Sequence, residues 1–164
     1  MSFGEAILSV FSKYATFSGR ARRSEYWYFA LFNFLIGLVL AIIGKMLPFL
    51  AILSSLYGLA ILIPGIAISV RRLHDIGKSG WTMLIYLIPA IIYGVLLSIM
   101  LIKHFEGEEP NLTLYIIFGI ITFITFVLAI VFIVWMCRDS QPGENKWGPN
   151  PKEVPSESNS GMNY

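Results

Sequence analysis

The stretch Arg71-Arg72-Leu73-His74-Asp75-Ile76-Gly77-Lys78-Ser79-Gly80-Trp81 separates two of the most apolar segments of the chain. Held at the centre of a bilayer, Arg71, Arg72, Asp75 and Lys78 would cost roughly 2.5–3.5 kcal/mol each. The stretch therefore belongs at a membrane surface, and the segments on either side of it belong in the membrane. Gly77 and Gly80 predict a turn here rather than a continued helix.

Outward from this point the pattern repeats. Apolar runs at about 26–43, 47–70, 81–102 and 112–136 are each long enough to cross a hydrocarbon core of ~30 Å. Pro64 and Pro89 interrupt the backbone donors of the second and third runs, predicting kinks. Small residues four apart in the second run, as at Gly65 and Ser69, permit close helix contact. Apolar residues make up 56% of the 164 and charged residues 13%, against about 25% charged in soluble domains. A soluble fold of this size could not bury so much apolar surface, so lipid must cover it. The expectation is an all-α membrane protein with four transmembrane helices forming one domain over residues 1–151. The first apolar run begins at Tyr26, behind Arg20, Arg22 and Arg23, and has no small-residue cleavage site after a short core. It reads as an uncleaved first span.

The ends differ from the middle. Phe3, Ile7, Val10, Phe11 and Tyr14 recur at helical spacing. This predicts an N-terminal amphipathic helix, lying along the interface or packed against the inner end of the spans. Ser24 is the predicted N-cap of the first span. The tail beyond Arg138 is turn-rich to Pro151, and 152–164 reads as disordered on composition.

Lysine and arginine counts predict orientation. With the N-terminus inside, Lys13, Arg20, Arg22, Arg23, Arg71, Arg72, Lys78, Arg138, Lys146 and Lys152 are cytoplasmic, and only Lys45 and Lys103 are outside. Both termini are expected in the cytoplasm. Trp27, Trp81 and Trp135 fall at the same inner ends, where indole rings favour the headgroup level.

The motifs for chemistry are weak. Gly77-Lys78-Ser79 resembles the end of a phosphate-binding loop, but the earlier glycine would fall at Arg72 and no strand precedes it. His74, Asp75 and Ser79 are the residue types of a hydrolase triad, yet adjacent His74 and Asp75 cannot easily form the relay. His74, His104 and Cys137 do not cluster as metal ligands. Asn111-Leu112-Thr113 matches a glycosylation sequon but abuts the membrane. Neither a metal nor another cofactor is expected. A net charge of +2 gives no reason to expect nucleic acid.

What remains is a charged inner collar of Arg20, Arg22, Arg23, Glu25, Arg71, Arg72, His74, Asp75 and Lys78, with Trp81 and Trp147 beside it. Glu25 and Asp75 are expected to neutralise neighbouring arginines at a wet rim. Clustered bases near an anionic leaflet gain about 1 kcal/mol each, so these residues are the candidate site for anionic lipid headgroups or a protein partner.

Three segments carry a resemblance: Phe17 to Trp27, Arg71 to Trp81, and Pro142-Gly143-Glu144-Asn145-Lys146-Trp147-Gly148-Pro149-Asn150-Pro151. In this order they resemble the bacterial inner-membrane family known as domain of unknown function 805, which more often has Tyr where this chain has Trp147. The resemblance implies a small multi-pass protein of the bacterial cytoplasmic membrane and supplies no catalytic residues. The expected function is non-enzymatic, with a basic cytoplasmic face that binds anionic lipid or a partner. The alternatives are a transport or channel component that oligomerises through the small-residue face, and an enzyme acting on lipid headgroups.

Overall fold

The computed structural model describes residues 1–153. Five α-helices account for most of them: α1 Phe3–Ser12, α2 Arg23–Met46, α3 Ile52–Asp75, α4 Leu84–Glu106 and α5 Leu112–Cys137. Short 3-10 turns at Pro48–Leu50 and Gly80–Met83 precede α3 and α4. No strand occurs among the described residues. The four long helices are long and apolar enough to cross a membrane. Their apolar side chains stay largely uncovered by protein, as helices apolar on every face require lipid around them. The disorder expected for 152–164 falls, from residue 154 onward, outside the described residues.

The chain divides into two compact units, residues 1–80 with the tail from Arg138, and Trp81–Cys137. In the second unit α4 and α5 pair antiparallel, with Tyr86 against Phe132 and Tyr93 stacked on Phe118. A left-handed Gly107 ends α4, where the Glu108 N–H returns to the Lys103 carbonyl. Asn111, part of the rejected sequon, caps α5 by accepting from the Leu114 N–H at 2.9 Å.

The first unit is built on α2 and α3, which run antiparallel. Tyr57 of α3 donates to Asn33 of α2 at 2.7 Å. Helix α1 packs on this pair rather than lying free: Ala6 and Val10 are fully buried, and Phe11 meets Phe29 edge to face. A capping box starts it, with Ser2 and Glu5 each accepting from the other's backbone N–H. Val10, Ala21, Phe29 and Ile68 form the buried cluster beneath.

Two boundaries differ from the sequence expectation. Helix α2 begins at Arg23, capped by Arg22 without a side-chain bond, so Ser24 lies inside its first turn. Helix α3 continues through Arg71, Arg72 and His74 to Asp75, and the turn begins only at Ile76. It ends in a Schellman motif: Lys78 N–H to Leu73 at 2.9 Å and Gly77 N–H to His74 at 3.1 Å, with Gly77 at φ +78. Pro64 sits within the continuous helix and leaves the Ala60 carbonyl without its backbone donor. The Tyr14 hydroxyl donates to that carbonyl instead.

Candidate functional site

The C-terminal end of α3 presents carbonyls that no further helical turn can satisfy, at the negative end of the helix dipole. Arg20 and the tail meet them. Gln141 N–H donates to the Asp75 carbonyl at 2.8 Å, and Asn145 Nδ2 to the His74 carbonyl at 3.0 Å. Arg20 Nη2 reaches the Asp75 carbonyl at 3.5 Å.

Three ion pairs hold this end together, two of them on Asp75. Arg20 Nε donates to Asp75 Oδ1 at 3.0 Å, and Arg72 Nη1 donates to Asp75 Oδ2. Ser140 adds a hydroxyl bond to the same Oδ2 at 2.7 Å. The side chains of Arg20, Arg72 and Asp75 are 1%, 0% and 0% exposed. The third pair joins Arg71 Nη1 to Glu25 Oε1 at 3.5 Å, and Ser9 donates to that oxygen at 3.0 Å.

Burial of this kind is costly, at several kcal/mol per ion, and is offset only when every lone pair and proton is used. Two arginines share the one Asp75 carboxylate, and tail carbonyls accept what that carboxylate cannot. Arg20 Nη1 donates to Gly143 at 2.7 Å and to Gly148 at 3.3 Å, and Nη2 donates to Gln141. Arg72 Nη2 donates to the Arg138 carbonyl, and Arg22 to that of Pro151.

His74 lies flat against Trp147, with ring centroids 4.5 Å apart and planes within 10°. Its Nδ1 is 3.1 Å from the Gly19 carbonyl. A carbonyl can only accept, so Nδ1 carries the proton. Asp139 lies at the edge with Lys152 and Arg23 beside it. The Lys152 ammonium bond, then the Ser140 N–H and Arg23, hold its carboxyl below the usual aspartate range.

The sequence candidates therefore separate into groups. Arg20, Arg72, Asp75, His74 and Trp147 meet around the end of α3, and Glu25 and Arg71 form the neighbouring pair. The expected neutralisation by Glu25 and Asp75 is present, but in the interior rather than at a wet rim. Arg22 and Arg23 hold the tail, and Lys78 is half-buried. Trp81 opens the second unit and is 79% exposed. Ser9, Ser140, Gln141 and Asn145 were not singled out by the sequence. Asn145 carried a turn signal, but nothing in its type told that it would reach His74.

Four membrane-type helices and a folded polar cap define a multi-pass α-helical membrane protein. The family described as protein of unknown function, DUF805, matches residues 14–149, and the chain belongs to it. The match spans all of the cap from Arg20 to Trp147. Inner membrane protein YhaH of Escherichia coli (strain K12) is 33% identical over 153 residues, covering 90% of this chain and 97% of its own length. Inner membrane protein YhaI of the same organism is 32% identical over 149 residues, covering 88% and 93%. No solved structure matches the chain.

Proposed function

We propose that this is a non-enzymatic protein of the bacterial inner membrane, with both termini cytoplasmic, whose polar cap binds anionic lipid headgroups. One observation carries the reading: the N-terminal segment, the end of α3 and the tail fold into one body whose exposed rim is rich in cations. Arg20, Arg71 and Arg72 face inward and act as its frame. Lys13, Arg138 and Lys146 are exposed on it, and Arg23 and Lys152 remain 44% and 40% exposed. The ten-to-two distribution of Lys and Arg supports a cytoplasmic cap. There the anionic leaflet attracts each such base by about 1 kcal/mol, screened within a Debye length.

The test is native mass spectrometry of the purified chain titrated with phosphatidylglycerol. Replacing Lys13, Arg138 and Lys146 by Gln should remove most of the salt-sensitive lipid adducts. An unchanged adduct distribution would refute headgroup binding by the rim.

A further inference from the structure

Helix α1 packs on the first unit through Ala6 and Val10, and its two flanks meet α2 at different depths. On one flank Ser9 donates to Glu25, in the first turn of α2. On the other, Phe11 meets Phe29 and Phe32 edge to face, with ring centroids 5.9 and 6.2 Å apart. Phe32 lies about 10 Å of helix further into the span than Glu25. Just past α1, the Tyr14 hydroxyl donates to the Ala60 carbonyl. Ala60 stands about 22 Å of helix from the end of α3 at Asp75.

Helix α1 therefore crosses the spans with a polar flank toward the cap and an aromatic flank toward the membrane interior. The outward residues follow the same division. Glu5, Ser9 and Ser12 share the polar flank at helical spacing, and Gly4, Leu8 and Phe11 share the other. Leu8 is 73% exposed, and nothing stands within 4 Å of a Cβ placed at Gly4. At comparable depth the spans expose Leu31, Leu59 and Ile63, side chains that lipid covers. The apolar flank of α1 continues that surface, so it meets the same neighbours.

We propose that α1 is an in-plane membrane element, with Gly4, Leu8 and Phe11 set among the acyl chains of the leaflet beside the cap. Amphipathic helices settle about 5–10 Å into that boundary, which matches contacts running from Glu25 to Phe32. Lys13, exposed at the end of α1, has a stem long enough to return its ammonium to the headgroups. The partner is the acyl layer itself, so this surface needs no anionic lipid and goes beyond the headgroup binding proposed above.

The test uses the full chain with Cys137→Ser, reconstituted in phosphatidylcholine vesicles and carrying one environment-sensitive fluorophore. Attached at Leu8→Cys or Gly4→Cys, the label should emit to the blue. It should lose most of its signal to lipids brominated near the ester end of the chain, and little to aqueous iodide. At Lys146→Cys, on the cap, the response should reverse. Iodide quenching at Leu8→Cys and Gly4→Cys equal to that at Lys146→Cys would overturn the proposal. Protection of both sites from both quenchers would overturn it too, since protein, such as a second copy, would then cover the face. Because no anionic lipid is present, either result leaves the headgroup reading standing.

Discussion

Arg20 and Asp75 form a buried ion pair, 3.0 Å from Nε to Oδ1, between residues 55 positions apart. The pair ties the segment before α2 to the end of α3, and Arg20 carries the tail with its remaining donors. Removing the carboxylate would strand Arg20 and Arg72 together. Asp75→Asn should therefore destabilise the first unit by about 3–5 kcal/mol, measured by denaturant unfolding in detergent. A loss under about 1 kcal/mol, the range of an exposed pair, would show that the cap is wet.

Gly77 and Gly107 offer a controlled comparison, since both end a helix at positive φ, +78 and +74. A Cβ at Gly107 meets open space, whereas one at Gly77 would lie 2.7 Å from Gln141 Oε1. Gly107→Ala should cost the backbone term alone, about 1–2 kcal/mol. Gly77→Ala should cost more and loosen the tail, visible as faster amide exchange over residues 141–148. Equal effects would mean that the tail does not rest on the turn.

Tyr14 and Pro64 should behave as a coupled pair. Tyr14→Phe leaves the Ala60 carbonyl without a donor, at about 1 kcal/mol. Pro64→Ala returns the backbone N–H, so Tyr14→Phe should be nearly neutral in that background. Additive losses in a double-mutant cycle would contradict the bond.

The Asp139 latch sets an acid dependence. Its folded pKa is depressed by Lys152, the Ser140 N–H and Arg23. Its stabilising contribution is therefore full above the unfolded aspartate value of about 3.9. It is lost as pH falls below that value through the folded pKa. Fluorescence of Trp147, with the other tryptophans changed to Phe, should report loosening of the tail in acid. Asp139→Asn should remove that part of the response and leave it weaker at neutral pH. Identical profiles would rule the latch out.

The four spans were legible because a bilayer leaves a helix nothing but continuous apolar length to work with. The role of Glu25 and Asp75 as arginine partners was legible too, since buried or crowded arginines demand carboxylates. Which arginine meets which was not, because Arg20–Asp75 and Arg71–Glu25 close across α2 and α3, 55 and 46 positions apart. The continuation of α3 through Arg71 and Arg72 was hidden because charge ordinarily marks the end of a span. Here Asp75, Arg20 and the tail satisfy those residues from outside the helix. Docking of the tail was hidden for a related reason. It is made largely by backbone carbonyls of Arg138, Gln141, Gly143, Gly148 and Pro151, and a carbonyl has no letter in the sequence. For α1, the sequence left two placements open, and Ala6 and Val10 decide for packing.

The cap serves the proposed role only if it faces the cell interior. With Cys137→Ser as background, a membrane-impermeant maleimide should label Glu108→Cys in spheroplasts, and Lys146→Cys only after the membrane is opened. Labelling of Lys146→Cys from outside, with Glu108→Cys protected, would place the cap on the wrong side and contradict the account.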